Sequence, residues 1–555
     1  MNNVRRSIYV LMVLSFAGCS KKSSPPIEQV PDAFNFSALK VDGKSDGFTY
    51  YAVKRSPVIK FSFTTAINHS SVSNAFSFKD DGGSTVSYTS SFENNDSTVV
   101  IQPSTILSPI AKYEMAVSTS LQSQNKGFLR TAVSVELTTA IDSTDKFPQV
   151  TDSALLTLVQ QQTFKYFWDF GHPSSGMARE RNTSADIVTT GGSGFGVMSI
   201  IVGIQRNFIS RTEGLNRITQ IVSFLTTKAQ RFHGAFPHWM DGVTGAVVPF
   251  SQQDDGADLV ETSYLMQGLL CARQFFNSST DAGEINLKTS INSLWNAVEW
   301  NWFRQNGQDV LYWHWSPDFN WNINMAIRGW DEAMIVYVLG ASSNVDSIPK
   351  TVYDNGWAIN GSIKNGKSFY GIELPLGPDF GGPLFFAHYS FLGINPNNLS
   401  DAYANYWTQN VNHTKINYSY CSTNPKKFNG YSSACWGLTA SDENNGYSAH
   451  APDNDDGVIT PSAAISSLPY TPTESMNALK FFYYKLGDKI WGEYGFKDAF
   501  NLTNIWFASS FLAIDQGPEI IMIENYRTGL LWNLFMSCPE IKKGMKRLGF
   551  QSPNL

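Results

Sequence analysis

Asp254, Asp255, Asp258 and Glu261 place four carboxylates in eight residues, with no basic side chain among them. A helix starting near Asp255 would carry Asp254, Asp258 and Glu261 along one stripe, because side chains three and four apart share a helix face. Like charges at that spacing repel by roughly a few tenths of a kcal/mol per pair on an exposed helix, and by more in a cleft. The offsetting cause is the positive end of the helix dipole, a bound cation, or a site that handles a polar substrate. An acidic first turn with Asp255 as N-cap is the plain alternative. Tyr264, Leu265, Met266, Leu269 and Leu270 follow, and so apolar a helix is expected to be buried, with the carboxylates at its mouth.

Other segments repeat the pairing of acids with aromatic rings. Phe236-Pro237-His238-Trp239 precedes the stripe, and Trp313-His314-Trp315 and Trp321 precede Arg328-Gly329-Trp330-Asp331-Glu332. Trp436 leads to Asp442 and Gly446-Tyr447, and Asp515-Gln516-Gly517-Pro518 leads to Glu524-Asn525-Tyr526-Arg527. Five segments with one theme point to one cleft. Trp239, Trp313, Trp330, Trp436 and Tyr447 offer flat faces for sugar rings, against the alternative of core packing. His238 and His314 suit donors to sugar oxygens, and Arg179, Arg328 and Arg527, with Glu524 beside the last, suit vicinal hydroxyls or structural ion pairs. Asp453-Asn454-Asp455-Asp456-Gly457 lacks the distal Glu of an EF-hand and reads as a turn. No cofactor and no metal is expected; Ca²⁺ at the acidic stripe is kept as an alternative.

Two kinds of element must position these residues. From Phe34 to about Ala140 apolar side chains alternate, as in Ile59, Phe61 and Phe63, in Tyr113, Met115 and Val117, and in Val133, Val135 and Leu137. About seven short strands over residues 34–142 predict a small all-β immunoglobulin-like sandwich, read as a spacer or docking module. After the polar junction at residues 141–145 the period becomes helical to the end. Twelve helices are predicted, at 152–170, 194–208, 212–231, 258–276, 285–301, 331–339, 383–391, 400–411, 460–467, 472–486, 503–514 and 518–535. Joined by long loops rich in Gly, Pro and Asn, they predict a mainly α domain over residues 150–555 built as an (α/α)6 barrel, with loops lining a cleft at one end.

The 555 residues are 42% hydrophobic and 14% aromatic, with a formal net charge of -6, a balance that disfavours nucleic acid as a partner. Arg5 and Arg6, the apolar run from Ile8 to Phe16 and Phe16-Ala17-Gly18-Cys19 read as a signal peptide ending in a lipobox, so residues 1–19 are a leader with Cys19 as the lipidated residue. Residues 20–33 form a flexible tether. The run is too short to span a bilayer, which predicts an outer-membrane lipoprotein of a bacterial envelope, facing the periplasm and monomeric. Cys421 and Cys435 flank a polar loop that would permit a disulfide in an oxidising compartment, and no cysteine pair has zinc-ligand spacing.

The segments Asp254–Thr262, Gly329–Met334, Trp436–Asp442 and Asp515–Trp532 resemble the glycoamylase-like family of bacterial (α/α)6 proteins, and within it the endo-β-1,2-glucanases of glycoside hydrolase family 144. The resemblance covers roughly residues 152–550 and implies hydrolysis of a β-glucan, foremost β-1,2-glucan. Such hydrolysis needs a proton donor at the leaving oxygen and, for inversion, a second carboxylate about 6.5–9.5 Å away that activates water. The resemblance points to Glu332 as donor. Asp442 is assigned provisionally as base, and Asp254, Asp258 and Glu261 match positions tied to activity or substrate binding. An exo-acting oligosaccharide hydrolase, a transglycosylase and a non-catalytic glycan-binding lipoprotein remain as alternatives.

Overall fold

The computed structural model describes residue 31 and residues 33–555, so the leader, Cys19 and most of the tether lie outside the described residues. The chain divides into two compact units, one reaching to Leu107 and resuming over Lys112–Leu137, the other made of Ser108–Ala111 and Thr138–Leu555.

Eight strands build the first unit: β1 (Phe36–Val41), β2 (Thr49–Val53), β3 (Ile59–Phe63), β4 (Phe76–Asp80), β5 (Tyr88–Glu93), β6 (Thr98–Pro103), β7 (Lys112–Val117) and β8 (Val133–Thr139), with a one-turn helix α1 (Val72–Ala75) before β4. They form two four-stranded sheets, ordered β1-β3-β6-β5 and β2-β8-β7-β4. Ile59, Phe61 and Phe63 of β3, and Tyr113, Met115 and Val117 of β7, are all buried as the alternation requires. Phe61 meets Phe76 of the other sheet edge to face, with centroids 5.5 Å apart, so the inward rows of the two sheets share one core.

The second unit is helical: α2 (Asp152–Trp168), α3 (Thr190–Gln205), α4 (Arg211–Thr227), α5 (Leu259–Phe275), α6 (Ala282–Asn296), α7 (Met334–Ser342), α8 (Lys350–Val352), α9 (Tyr406–Thr423), α10 (Pro461–Ile465), α11 (Pro472–Ile490), α12 (Ala513–Thr528), α13 (Leu530–Met536) and α14 (Pro539–Leu548). Helices α3, α5, α7, α10 and α12 are buried almost throughout. α3 packs on α5, α5 on α7, α7 on the 3₁₀ turn Ser390–Leu392, that turn on α12, and α12 on both α10 and α3, which closes a ring. Of the remaining helices, α2 packs on α12, α4 on α3, α6 on α4 and α5, α11 on α10 and α14 on α7. The ring is tight where side chains are missing. A Cβ on Gly194 of α3 would lie 2.2 Å from the Tyr264 carbonyl oxygen, and one on Gly268 of α5 would lie 2.2 Å from the Gly194 carbonyl oxygen.

Several predicted helices are corrected. Residues 383–391 form 3₁₀ turns (Leu384–Ala387, Ser390–Leu392) in place of a helix. Residues 503–512 contain no helix: the Asn501 side chain accepts from the backbones of Thr503 and Asn504, Ile505 has φ 54°, and Phe507 pairs with Phe500. The predicted helix at 518–535 begins five residues earlier, at Ala513, and is broken at Gly529, whose φ of 70° ends α12 in the left-handed conformation. The permitted Cys421–Cys435 disulfide is absent; both are free, buried thiols, Cys421 within α9 and Cys435 paired through its backbone with Ser432.

Candidate active site

The acidic stripe is not a helical stripe. Short strands β9 (Ile187–Thr189), β10 (Trp239–Asp241) and β11 (Val247–Val248) pair beside it, and Asp258 lies in β12 (Ala257–Asp258), which pairs with β13 (His314–Trp315). α5 begins only at Leu259. Asp258 is its N-cap, accepting from the Glu261 backbone N–H at 2.9 Å, so Asp254 reaches the group through the extended chain before the helix. Strand pairing brings His314 opposite Asp258 and puts His238 and Trp313 against it: His238 Nδ1 lies 3.1 Å and Trp313 Nε1 3.2 Å from Asp258 Oδ2. His314 Nε2 lies 3.4 Å from Asp254. Glu261 accepts from the Gly191 N–H at 2.7 Å and the Thr189 hydroxyl at 3.3 Å, in the first turn of α3, where the helix dipole favours an anion.

Charge balance inside this wall follows from burial. Burial opposes charge on His238, yet Glu261, Asp258 and Asp254 together raise its pKa to about 9, so it is an imidazolium at neutral pH. Burial works against an ionised Asp258 as well, but the His238 hydrogen bond and charge outweigh it and hold its pKa below the ordinary value. Asp254 is lifted to about 7 by burial and the Asp258 charge, and Glu261 is raised chiefly by burial. His314 is lowered by burial and stays neutral. His238, Asp254 and Asp258 offer ligand atoms within 4.8 Å of one another and are the residues that would hold a cation. Protonated His238 already supplies a positive charge at that point.

Glu332 sits in the turn before α7. Asp331 caps that turn by accepting from the Ala333 N–H at 2.8 Å, and the Glu332 carbonyl oxygen accepts from Ser390 Oγ at 2.5 Å and Tyr264 OH at 3.3 Å. These bonds fix the backbone and leave the carboxyl free. Its pKa is pushed up to about 7, first by burial and then by the charges of Glu261 and Asp258. Asp331 is driven well above the usual range by burial and by Glu332.

A second acidic cluster lies on the hairpin β16 (Ala440–Glu443) and β17 (Gly446–Ala449), which follows the small β14 (Ser368–Phe369) and β15 (Ile372–Glu373) hairpin in sequence. Asp442 is a strand residue paired across the hairpin with Tyr447. Arg181 Nη1 donates to both of its oxygens, at 3.1 and 3.2 Å, and Ser510 Oγ donates to Oδ2 at 2.5 Å. Behind it are Asp498 and Asp515. One side chain reports on both clusters: Asp515, Glu332 and Glu261 all raise the Tyr389 phenol beyond the effect of its burial. Pro518 helps to place that phenol. Lacking an N–H, it leaves the Ile514 carbonyl oxygen without its helical donor, and Tyr389 OH donates there at 3.1 Å.

The structure therefore gathers Asp254, Asp258, Glu261, His238, Trp313, His314 and Glu332, and places Asp442 and Tyr447 in the neighbouring cluster. Trp239 joins through Phe250, whose ring stacks on His238 at 4.3 Å and meets Trp239 at 4.9 Å. Six expected binding residues are corrected. Glu524 is fully buried and held by Arg206 at 2.7 and 2.9 Å, and Arg527 donates to Thr157 and Gln160. Both lie two to three turns along α12 from Asp515, a rise of about 13–18 Å at 1.5 Å per residue. Trp436 is fully buried, donating to the Glu474 carbonyl oxygen, and Trp330 packs among Trp357, Phe391 and Tyr406. Arg328 points to the Asn355 carbonyl oxygen, and Arg179 binds the Ala185 and Phe170 carbonyl oxygens over the Phe170 ring. Residues missed in the sequence are Phe250, Arg181, Tyr264, Tyr389, Asp498 and the Gly191 amide. Of these, Asp498 and Arg181 carry no local signal, while Gly191 opens a Gly-rich helix that only close packing explains.

Residues 324–539 match the Glycoamylase family model, described as "Putative glucoamylase", and residues 46–139 match a bacterial Ig-like domain. The chain is 46% identical over 421 residues to an exo β-1,2-glucooligosaccharide sophorohydrolase (non-reducing end) of Parabacteroides distasonis, covering 72% of this chain and 58% of that protein's length. Among solved structures it is similar to an endo-β-1,2-glucanase from Chitinophaga pinensis in complex with sophorotriose and glucose, with TM-score 0.72 and 51% identity over 73% of this chain and 100% of that one. A β-1,2-glucanase from Parabacteroides distasonis gives TM-score 0.70 and 37% identity over 94% of this chain and 74% of that one. The helical unit is thus a glucanase-type α/α toroid, preceded in sequence by an Ig-like domain. The chain belongs to the glycoamylase-like family, in the branch typified by glycoside hydrolase family 144.

Proposed function

We propose that this chain hydrolyses β-1,2-linked glucan by single displacement with inversion, Glu332 donating the proton and Asp442 accepting one from water. The observation that carries the reading is the Glu332 carboxyl, free of hydrogen-bond partners from other residues, with a pKa of about 7 imposed by burial and by Glu261 and Asp258. A general acid must hold its proton near the working pH and release it to the leaving oxygen. Asp442 is oriented by Arg181 and Ser510, and Oδ1 retains a lone pair for water. In the step, Glu332 protonates the glycosidic oxygen as the C1–O bond breaks. Water attacks C1 from the opposite face, Asp442 takes its proton, and the new reducing end is the α-anomer.

Sugar recognition falls to partly exposed rings, with Trp239, Phe250 and Tyr447 offering faces and His238, Trp313 and His314 lying against the acids. The β-1,2 linkage is supported by the relatives, one described as a sophorohydrolase and others as β-1,2-glucanases. We read the closed ring of buried elements as the inner layer of an (α/α)6 barrel, and the mode as endo because the match to the endoglucanase covers that whole chain. Early digests of long β-1,2-glucan should contain a spread of chain lengths; sophorose alone from the first minutes would replace the endo assignment with an exo one. The lipobox at Cys19 supports anchoring in the bacterial envelope, and loss of membrane-fraction protein in Cys19→Ala is the test.

A further inference from the structure

Asp498 and Asp515 are 2% and 4% exposed and come from separate segments, the chain after α11 and the first turn of α12. Each has one oxygen with a clear donor. Asp498 Oδ2 accepts from the Asp442 backbone N–H at 2.7 Å, and Asp515 Oδ1 accepts from Ser462 Oγ at 2.8 Å. The remaining oxygens, Asp498 Oδ1 and Asp515 Oδ2, are closed from solvent and have no hydrogen-bond partner. Each carboxyl bears on the ionisation of the other, which sets the two side by side. Two buried carboxylates in that arrangement would repel and leave two acceptors unpaired, whereas one proton between them satisfies both oxygens.

We infer that Asp498 and Asp515 share a single proton, and that this acid–carboxylate pair positions Asp442, and with it the hairpin bearing Tyr447, by holding the Asp442 amide. The inference deepens the proposed reaction and rests on Asp442 as its base. Facing the pair are Asp442 and Tyr447 on the hairpin, Arg181 on the segment before β9, Glu519 one turn along α12, and the Tyr389 phenol. Arg181 is the one cation of this set and is already held by Glu180 and Asp442, so it does not neutralise a second charge on the pair. Burial, opposed by the Asp498 and Ser462 side chains, places Asp515 at about 7, and burial with the Asp515 charge raises Asp498 well above the ordinary range. The pair titrates as a unit. Loss of its proton sets two buried anions against each other beneath the Asp442 backbone.

Infrared spectroscopy of the full chain near pH 6 reads the shared proton without reference to activity. Asp498→Asn, Asp515→Asn and the double variant should each lose the intensity of one protonated carboxyl, because each amide N–H replaces the same proton. Loss in only one single variant, or a doubled loss in the double variant, overturns the shared proton. Kinetics reads the positioning role. Asp515→Ala should lower kcat roughly 100-fold with KM changed less than about threefold, and Asp515→Asn should recover kcat to within about tenfold with its alkaline limb shifted upward. An Asn variant as impaired as the Ala variant overturns the positioning role. Asp442→Asn with undiminished kcat would instead remove Asp442 as base and leave the infrared result standing.

Discussion

Protonated His238 stands among Asp254, Asp258 and Glu261, and its charge decides which of those acids is ionised. Its folded pKa of about 9 exceeds the unfolded value near 6.5, so its contribution to stability is complete below about pH 6.5 and is lost as pH rises through 9. Melting temperatures measured from pH 6 to 10 should therefore fall more steeply for the wild type than for His238→Asn across that window; parallel curves would mean that His238 is not charged. Glu332→Gln should lower kcat by roughly 10²–10⁴-fold while oligosaccharide binding by calorimetry is kept, and the wild-type rate should decline as pH rises past about 7, where the donor loses its proton. At this scale the acids were legible because Asp254, Asp258, Glu261 and Glu332 fall in unusual local patterns. Their partners were not: Arg181 reaches Asp442 across 261 positions, and no local spacing announces that. The indoles misled for a related reason. Trp436 and Trp330 sit in the same aromatic company as Trp239 and Trp313, and only the packed fold shows which rings face inward.

Elements place the site through two devices, tight packing of α3 on α5 and an α12 that starts before its proline. Gly268→Ala would drive a Cβ to 2.2 Å from the Gly194 carbonyl oxygen, and overpacking against backbone costs about 1–3 kcal/mol or more. Gly446→Ala, with nothing within 4 Å of its Cβ, should stay within about 0.5 kcal/mol by urea unfolding. At the far end of α12, Glu524→Ala strands Arg206 in the interior and should cost about 3–5 kcal/mol, with KM of the folded fraction unchanged. A raised KM would return Glu524 to the binding residues. The 3.6-residue period revealed most of the long helices but not α14, whose burial at Ile541, Met545 and Leu548 is one-sided. It failed at 383–391 and 503–512, where Pro, Gly and Asn side chains satisfy the backbone in other ways. The start of α12 was missed because Pro518 reads as a first-turn residue, whereas Tyr389 takes over the carbonyl bond that the proline leaves open.

At the scale of the whole molecule, the change of apolar period from two to helical near residue 141 marked the passage from sandwich to toroid, and the two compact units divide close to it. The second unit carries its own apolar cores, and both acid clusters lie within it. A chain beginning at Ile141 should therefore keep kcat and KM on soluble glucan within about twofold, by reducing-end assay, if the first unit is a spacer. What the period could not reveal was the ring itself, since one of its members is a 3₁₀ turn that leaves no helical pattern. The proposed reaction requires inversion at a β-1,2 bond with Glu332 as acid. The most direct measurement is proton NMR of β-1,2-glucan during the first minutes of digestion, before the new reducing ends mutarotate. Single displacement releases the α-anomer first, with Glu332→Gln releasing none on that timescale; the β-anomer as first product would rule inversion out.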